Sequence, residues 1–229
     1  MKQNRILVVA AHPDDEVLGC GGTIRRLVQE GNTAYTLILG EGVTSRFEKR
    51  EMADVQDVKK LKNAAEAAAK VLGIQELFLF DFPDNRFDSV PLLEIIKVVE
   101  KTIQNVDPHV IYTHHSNDLN IDHQITHKAV LTASRPVEGQ KISEILSFQI
   151  PSSTEWAFNK DEKCFQANVF VDIESTLAEK IEALNCYSSE MREFPHPRSI
   201  DGVKSLAKSW GSVAGFKAAE AFELIRKIY

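Results

Sequence analysis

The chain has 229 residues, a net charge of −6, 43% hydrophobic residues and 26% charged residues. This length fits one large α/β domain or at most two small ones, and the hydrophobic share excludes disorder as the main state. The acidic balance argues against nucleic acid or anionic lipid as a partner, because both favour a basic surface. Three cysteines, Cys20, Cys164 and Cys186, form no close pair in sequence, which favours a reducing compartment over a disulfide framework.

No segment has the pattern of a secretion signal or a membrane span. The first apolar run, residues 6–11, is too short for a signal-peptide core and ends at His12 and Pro13. Nothing approaches the ~20 apolar residues that a membrane-spanning helix needs. The sequence therefore predicts a soluble cytoplasmic protein.

Strand and helix patterns alternate along the first part of the chain. Four short apolar runs are typical of strands buried on both faces of a parallel sheet: residues 6–10, 33–39, 77–80 and 110–113. Helical patterns follow these runs: one helix that begins at Pro13 and stops at Gly31, one from Met52 to Leu72 that Gly73 ends, one that Ser89 caps, and one that Asp122 can cap. The small residues 19–22 would let the first helix lie close to the sheet.

Beyond Ser134 the alternation weakens. Residues 145–150 and 168–173 are typical of strands, and residues 175–186 and 218–228 are typical of helices. We expect a single α/β domain over residues 1–229, with a core at 1–135 and a C-terminal elaboration at 136–229. The predicted fold is a doubly wound, mostly parallel, Rossmann-like sheet with helices on both faces.

Polar side chains cluster where two of the predicted strands end. Residues 11–16 and 114–123 together hold four of the seven histidines and five acids. Ligands of open parallel sheets bind outside the carboxyl ends of the strands, so both segments are expected to face one crevice.

Histidine and aspartate in this arrangement indicate a divalent metal. A catalytic zinc site takes three N/O ligands and leaves one position for water. His12 and Asp15 are three residues apart on a strand-to-helix turn, and His123 can supply the third ligand from the second segment. Asp14 is then free to act as a general base toward the bound water.

Structural roles compete with these functional ones. Acids at a helix start also complement the helix dipole, so Asp14 and Asp15 taken alone suit either role. Asp122 caps its helix or orients His123. His127 has metal-compatible spacing to His123, but a solvated helix face fits it better. Glycines at 19, 21 and 22 do not form the dinucleotide-binding pattern.

The sequence Ala-His-Pro-Asp-Asp-Glu at 11–16, with Asp-His at 122–123, resembles the LmbE-like, PIG-L-type N-acetylglucosaminyl deacetylases. Further motifs carry the likeness along nearly the whole chain: Gly-Glu-Gly-Val-Thr-Ser-Arg at 40–46, Ala-Ala-Lys-Val-Leu-Gly at 68–73, Pro-Asp-Asn-Arg at 83–86, Thr-His-His at 113–115 and Ala-Glu-Ala-Phe at 219–222. The resemblance implies zinc-dependent hydrolysis of the acetamide of a small N-acetylated sugar or glycoconjugate, by a homo-oligomer.

By the family pattern, His12, Asp15 and His123 match the zinc ligands and Asp14 matches the general base. Asp122 matches the acid that supports the neighbouring histidine chemistry.

The sequence departs from the family pattern at Asn120, two residues before the Asp-His at 122–123, where many members carry a histidine. Asparagine can donate a hydrogen bond to an oxyanion but cannot act as an acid at neutral pH. The proton donor is therefore open between Asp14 and His115.

Arg46 is the best match for the arginine that contacts substrate in the family, although Arg50 lies close by. His196, between two prolines, can reach the crevice and touch the sugar, or form a surface turn. Trp156 and Trp210 suit either the core or a sugar-stacking platform.

Three alternatives remain open. One is a metal-dependent hydrolase of another amide. Another is a non-haem Fe(II) enzyme that uses the same His/Asp/His ligands, with Fe²⁺ or another divalent metal in place of Zn²⁺, although the βα rhythm disfavours it. The third is a Mg²⁺-binding receiver domain, which is shorter and needs no histidines.

Overall fold

The computed structural model describes residues 3–47, 52, 54–158 and 164–229. Its strands are β1 (Arg5–Ala10), β2 (Thr33–Gly40), β3 (Glu76–Phe82), β4 (Val110–His114), β5 (Glu144–Phe148), β6 (Val169–Asp172) and β7 (Ala219–Lys227). Its helices are α1 (Asp15–Gln29), α2 (Val55–Leu72), α3 (Leu92–Val106), α4 (Ile121–Ala133), α5 (Leu177–Cys186) and α6 (Ile200–Ala214).

All seven strands join one sheet, in the order β3-β2-β1-β4-β5-β7-β6. Strands β1 to β5 pair in parallel, whereas β7 runs antiparallel to both β5 and β6. The carboxyl ends of β1, β2 and β4 therefore meet at one edge. The parallel pairing of β1 to β5 confirms the predicted mostly parallel α/β fold, and β7 and β6 extend the same sheet.

Helices cover both faces of the sheet. Along β1, Ile6 and Val8 face a core shared with α1, α2 and α5. The alternate residues, Leu7 and Val9, face a second core shared with α3 and α4. Burial on both sides explains why β1 is continuously apolar rather than alternating.

The prediction for residues 218–228 was wrong, because they form β7 rather than a helix. Ala219, Glu220 and Ala221 favour a helix by intrinsic propensity. Pairing on both sides, with β5 and β6, overrides that propensity. Helix α6 had no counterpart in the sequence prediction.

Two predicted caps were also wrong. Pro91, rather than Ser89, occupies the N-cap position of α3. Asn120 caps α4, since its Oδ1 accepts the N–H of Asp122 at 2.9 Å. Asp122 is therefore released for another role.

Other local expectations hold. Gly73 ends α2 at φ 79°, and α1 begins two residues after Pro13. Cys20 and Cys186 are free thiols. Among the described residues, none of the helices has the length and apolar character that crossing a bilayer requires.

Candidate active site

A cavity of about 400 Å³ opens at the carboxyl edge of the sheet, over the ends of β1, β2 and β4. Several of the predicted site residues line it: His12, Asp14, Asp15, Arg46, Asn120 and His123. The loop between α5 and α6 closes the opposite wall with Glu190, Arg192 and Arg198. The topology thus brings residue 12 beside residue 123, as expected.

His12, Asp15 and His123 present their ligand atoms to one point. Oδ2 of Asp15 lies 3.4 Å from Nδ1 of His12 and 3.3 Å from Nε2 of His123. In a tetrahedral zinc site with bonds of about 2.0–2.1 Å, neighbouring ligand atoms lie about 3.3–3.4 Å apart. These three side chains therefore offer the donor types that zinc takes, and their ligand atoms all lie within 4.8 Å of one another.

Each histidine has a carboxylate behind it. Nε2 of His12 lies 2.9 Å from Oδ2 of Asp122, and Nδ1 of His123 lies 3.1 Å from Oδ1 of Asp118. Such partners fix the tautomer and orientation of a ligating imidazole, leaving the other nitrogen free for metal. The alternative in which Asp122 orients His123 is wrong: Asp122 supports His12, and Asp118 supports His123.

Both supporting carboxylates are themselves held firmly. Asp122 accepts the backbone N–H groups of Asn85 and Phe87 at 2.6 and 2.9 Å. Asp118 accepts the hydroxyls of Ser153 and Thr154, the latter at 2.6 Å. The pKa of Asp118 lies well below its usual range because bonds from His123 and these hydroxyls outweigh burial.

A second group of potential ligands shares His12. Nε2 of His12 lies 3.3 Å from Oδ1 of Asp84, so His12, Asp84 and Asp122 are also within reach of one another. Asp122 already accepts two backbone N–H groups, and Oδ2 of Asp84 accepts the N–H and hydroxyl of Ser45. These bonds favour the His12, Asp15 and His123 group as the metal site.

The electrostatics of the cluster favour a cation. Burial lowers the pKa of His123, but the charge of Asp15 and the contact with Asp118 raise it to about 9. In the same way, the bonds to Asp122 and Asp15 overcome burial and raise the pKa of His12 well above its ordinary value. The carboxylates therefore favour positive charge in the cluster. Neutral histidines do not supply this charge, but a divalent ion would.

Asp14 stands beside the proposed metal position in a constrained conformation. Its backbone has φ 107°, in the left-handed region that aspartate adopts more readily than most residues. The N–H of Asp14 donates to Oε2 of Glu16 at 3.1 Å, and the hydroxyl of Tyr187 donates to Oε1 of Glu16 at 2.6 Å. Glu16 thus holds the backbone of Asp14 in place.

Burial raises the pKa of Asp14 well above its usual range, and the charge of Arg198 opposes this rise. Nη1 of Arg198 lies 3.2 Å from Oδ2 of Asp14, and its Nε donates to the hydroxyl of Ser152 at 2.8 Å. A carboxylate with a raised pKa is suited to accept a proton near neutral pH.

Arg198 was missed by the sequence analysis, as were Asp84, Asp118 and Glu190. The loops that carry Arg198 and Glu190 gain their positions from tertiary contacts, so no local pattern marks them. Asp84 lies in the Pro-Asp-Asn-Arg motif at 83–86, which carried the family likeness but gave Asp84 no role. For Asp118 a signal was present, because it lies five residues before His123 in the same polar segment.

Arg46 reaches the cavity rim, where it pairs with Glu190 at 2.5 Å. Arg50, its competitor for contact with substrate, lies outside the described residues.

Three predicted site residues do not line the cavity: Asp122, which lies behind His12, and also His115 and His196. Nδ1 of His115 lies 2.7 Å from Glu223, beside a separate depression of the surface. The ring of His196 packs edge-on against Trp156 at 5.5 Å, and its Nδ1 accepts the N–H of Arg198. The structure therefore does not bring His115 to the place where a proton donor is needed.

Two further histidines are buried beside the site. His114 stacks on His123 with ring centroids 4.0 Å apart, and its Nε2 accepts the N–H of Ala11 at 2.8 Å. His127 donates from Nδ1 to the carbonyl of His114 at 2.8 Å. The preference for a solvated helix face at His127 was wrong, because α4 packs this side chain against the end of β4.

Comparison with known proteins identifies the family of this chain. The family profile described as PIG-L: GlcNAc-PI de-N-acetylase matches residues 7–134. The diacetylchitobiose deacetylase of Thermococcus kodakarensis is 23% identical over 232 residues, covering 98% of this chain and 84% of the relative. A probable N-acetyl-alpha-D-glucosaminyl L-malate deacetylase 2 of Bacillus cereus is 28% identical over 196 residues, covering 82% and 84%.

Among solved structures, GalB, the 4-carboxy-2-hydroxymuconate hydratase of Pseudomonas putida KT2440, has a TM-score of 0.78 at 20% identity. The alignment covers 99% of this chain and 98% of the GalB chain, and this likeness shows a shared fold. The family profile spans more than half of the chain and includes both segments that carry His12, Asp15 and His123. The chain therefore belongs to the PIG-L family of de-N-acetylases.

Proposed function

We propose that this protein is a zinc-dependent hydrolase that removes the acetyl group from an N-acetylated amino sugar, giving the free amine and acetate. The observation that carries the proposal is the His12, Asp15 and His123 cluster, with the carboxylate of Asp14 beside it in the same cavity. Similar proteins named as deacetylases of N-acetylated sugars support the substrate class.

His12, Asp15 and His123 would hold the ion. A bound zinc supplies a Lewis acid for the acetyl carbonyl and lowers the pKa of its water to about 7. The residues fit this ion because Oδ2 of Asp15 lies at tetrahedral ligand spacing from a nitrogen of each histidine. Asp122 and Asp118 stand behind the two histidines.

Asp14 performs the proton transfers in this proposal. Its carboxylate accepts a proton from the attacking water, and Arg198 orients it through the 3.2 Å contact. Because His115 does not line the cavity, we assign the return of the proton to the leaving amine to Asp14 as well. One carboxyl group then serves as base and as acid, which its raised pKa favours.

Asn120 and Arg46 bind the substrate in this scheme. Oδ1 of Asn120 is occupied by the N–H of Asp122, so the amide NH₂ is the group left to donate to the developing oxyanion. Arg46, at the rim, is placed to donate to sugar hydroxyls in competition with its partner Glu190.

The test is an assay of acetate and free amine from N-acetylglucosamine, N,N'-diacetylchitobiose and N-acetylglucosaminyl malate. We expect both products in equal amounts, loss of activity on chelation, recovery with one equivalent of Zn²⁺, and no dependence on oxygen. Oxygen dependence would favour the Fe(II) alternative, and release of amine from other amides alone would favour the broader hydrolase.

The Asp14→Asn variant tests the mechanism. It should keep its metal and lose about 10²–10⁴-fold in kcat, the usual contribution of general acid–base catalysis. Asp57→Asn, on the outer face of α2, is the matched control and should retain full activity. A near wild-type rate in Asp14→Asn would remove Asp14 from the proposed role.

A further inference from the structure

Helix α1 is broken at its sixth residue, Cys20. Cys20 has φ −147° and ψ 17°, outside the helical region. The break separates a short first piece, which begins at Asp15, from a longer second piece that runs to Gln29. A helical piece of about five residues is not stable by itself, so its direction depends on contacts with other elements.

A buried ion pair occupies this break. The carboxylate of Glu220 on β7 accepts the N–H of Gly22 at 3.0 Å and that of Thr23 at 2.7 Å. Nζ of Lys180 on α5 donates to the carbonyl of Leu18 at 2.8 Å and to Oε1 of Glu220 at 2.5 Å. Glu220 therefore caps the second piece at its start, and Lys180 caps the first piece at its end.

Both charged side chains are buried, with 5% of each side chain exposed. A buried ion pair stabilises a fold poorly, because removal of two charges from water offsets most of their attraction. The side-chain hydrogen bonds of Glu220 and Lys180 within the described residues go to each other or to the backbone of the break. Their arrangement thus fits a role in fixing local geometry better than a role in overall stability.

Close packing on both sides of the break restrains the backbone of α1. A Cβ at Gly19 would lie 2.4 Å from the ring of Phe148 on β5, and one at Gly22 would lie 2.9 Å from Ile173. The backbone of α1 is therefore pressed against the sheet on both sides of the break. Leu18 follows Asp15 by three residues, about 4.5 Å along a helix axis.

We propose that Glu220 and Lys180 are positioning residues that set the direction of the first piece of α1, and thereby place Asp14 and Asp15 relative to His123. This inference rests on the proposed metal site. Neither side chain lines the active-site cavity, so the effect would act through the backbone between residues 15 and 19.

The test uses the full-length protein loaded with Co²⁺, whose visible absorption reports ligand geometry. Lys180→Met and Glu220→Gln should each raise the apparent Kd for Co²⁺ about tenfold or more, the usual effect of removing support behind metal ligands. The absorption bands should shift, and kcat should fall with little change in KM. Lys180→Arg keeps the charge and should restore part of the affinity.

Val99→Ala, in the core on the other face of the sheet, is the control for destabilisation alone. It should lower Tm and leave the Co²⁺ spectrum and Kd unchanged. The double variant Lys180→Met/Glu220→Gln removes both charges together and carries the test if a single variant does not fold.

Variants that lose thermal stability but bind Co²⁺ with wild-type affinity and spectrum would overturn the positioning role alone. Wild-type protein that binds Co²⁺ in a 1:1 ratio but releases no acetate from any substrate would instead overturn the proposed function, and the positioning role would still be measurable.

Discussion

Replacement of Arg198 by methionine should shift the pH dependence of the reaction. Nη1 of Arg198 lies 3.2 Å from Oδ2 of Asp14, and its charge opposes the rise in pKa that burial causes in Asp14. Without this charge the pKa of Asp14 rises further. The base must be ionised to accept a proton, so the acidic limb of kcat/KM moves to higher pH.

The distance sets the size of the shift. At 3.2 Å the pair interacts by about 1.3 kcal/mol at the dielectric constant of water and by about 5 kcal/mol at an effective value of 20. Because 30% of the Arg198 side chain is exposed, the screened end of this range applies best. That end corresponds to about a tenfold lower kcat/KM for Arg198→Met at a pH on the acidic limb.

The assay is release of free amine from N,N'-diacetylchitobiose, measured as kcat/KM from pH 5 to 9 with saturating metal. Arg192→Met is the matched control, since Arg192 also lines the cavity but bonds to the carbonyls of Ser189 and Met191. If the acidic limb of kcat/KM in Arg198→Met stays in place or moves to lower pH, Asp14 is not the base whose pKa Arg198 lowers.

Three further variants test other parts of the structure. Asp118→Asn should weaken metal binding about 10–100-fold in calorimetric titration, because His123 loses its carboxylate; unchanged affinity would contradict this. Burial lowers the pKa of His127, so wild-type stability should fall as pH drops below about 6.5, and urea titrations at pH 7.5 and 5.5 should show a smaller fall in His127→Asn. An equal fall in both proteins would show that His127 does not cause it. Gly19→Ala should lower the free energy of unfolding by about 1–3 kcal/mol, as its methyl group would overlap Phe148; a change below about 0.5 kcal/mol would mean that the ring moves aside freely.

The residues of the proposed metal site could be predicted from sequence because two local signals point to one place. His12 and Asp15 directly follow a buried apolar strand, and His123 follows another. Parallel strands put their carboxyl ends on one edge, so topology alone brings these segments together.

The rest of the site depends on long-range contacts. Arg198 reaches Asp14 across 184 residues of sequence, and no local periodicity marks the loop that carries Arg198. The sequence analysis assigned the cap of α4 to Asp122 rather than to Asn120, because either side chain can cap a helix. The choice between them depends on the N–H groups of Asn85 and Phe87, which hold Asp122 beneath His12.

Strand β7 shows the same limit for the fold. Its sequence favours a helix, whereas its place between β5 and β6 requires a strand. Cytoplasmic location and assembly into a homo-oligomer stay predictions from the sequence.

The central claim is that His12, Asp15 and His123 hold a zinc ion. Anomalous X-ray diffraction at the zinc edge, from crystals grown with one equivalent of Zn²⁺, tests it most directly. We expect one strong peak in contact with Nδ1 of His12, Oδ2 of Asp15 and Nε2 of His123. A peak between His12, Asp84 and Asp122, or no peak in the cavity, would contradict the account.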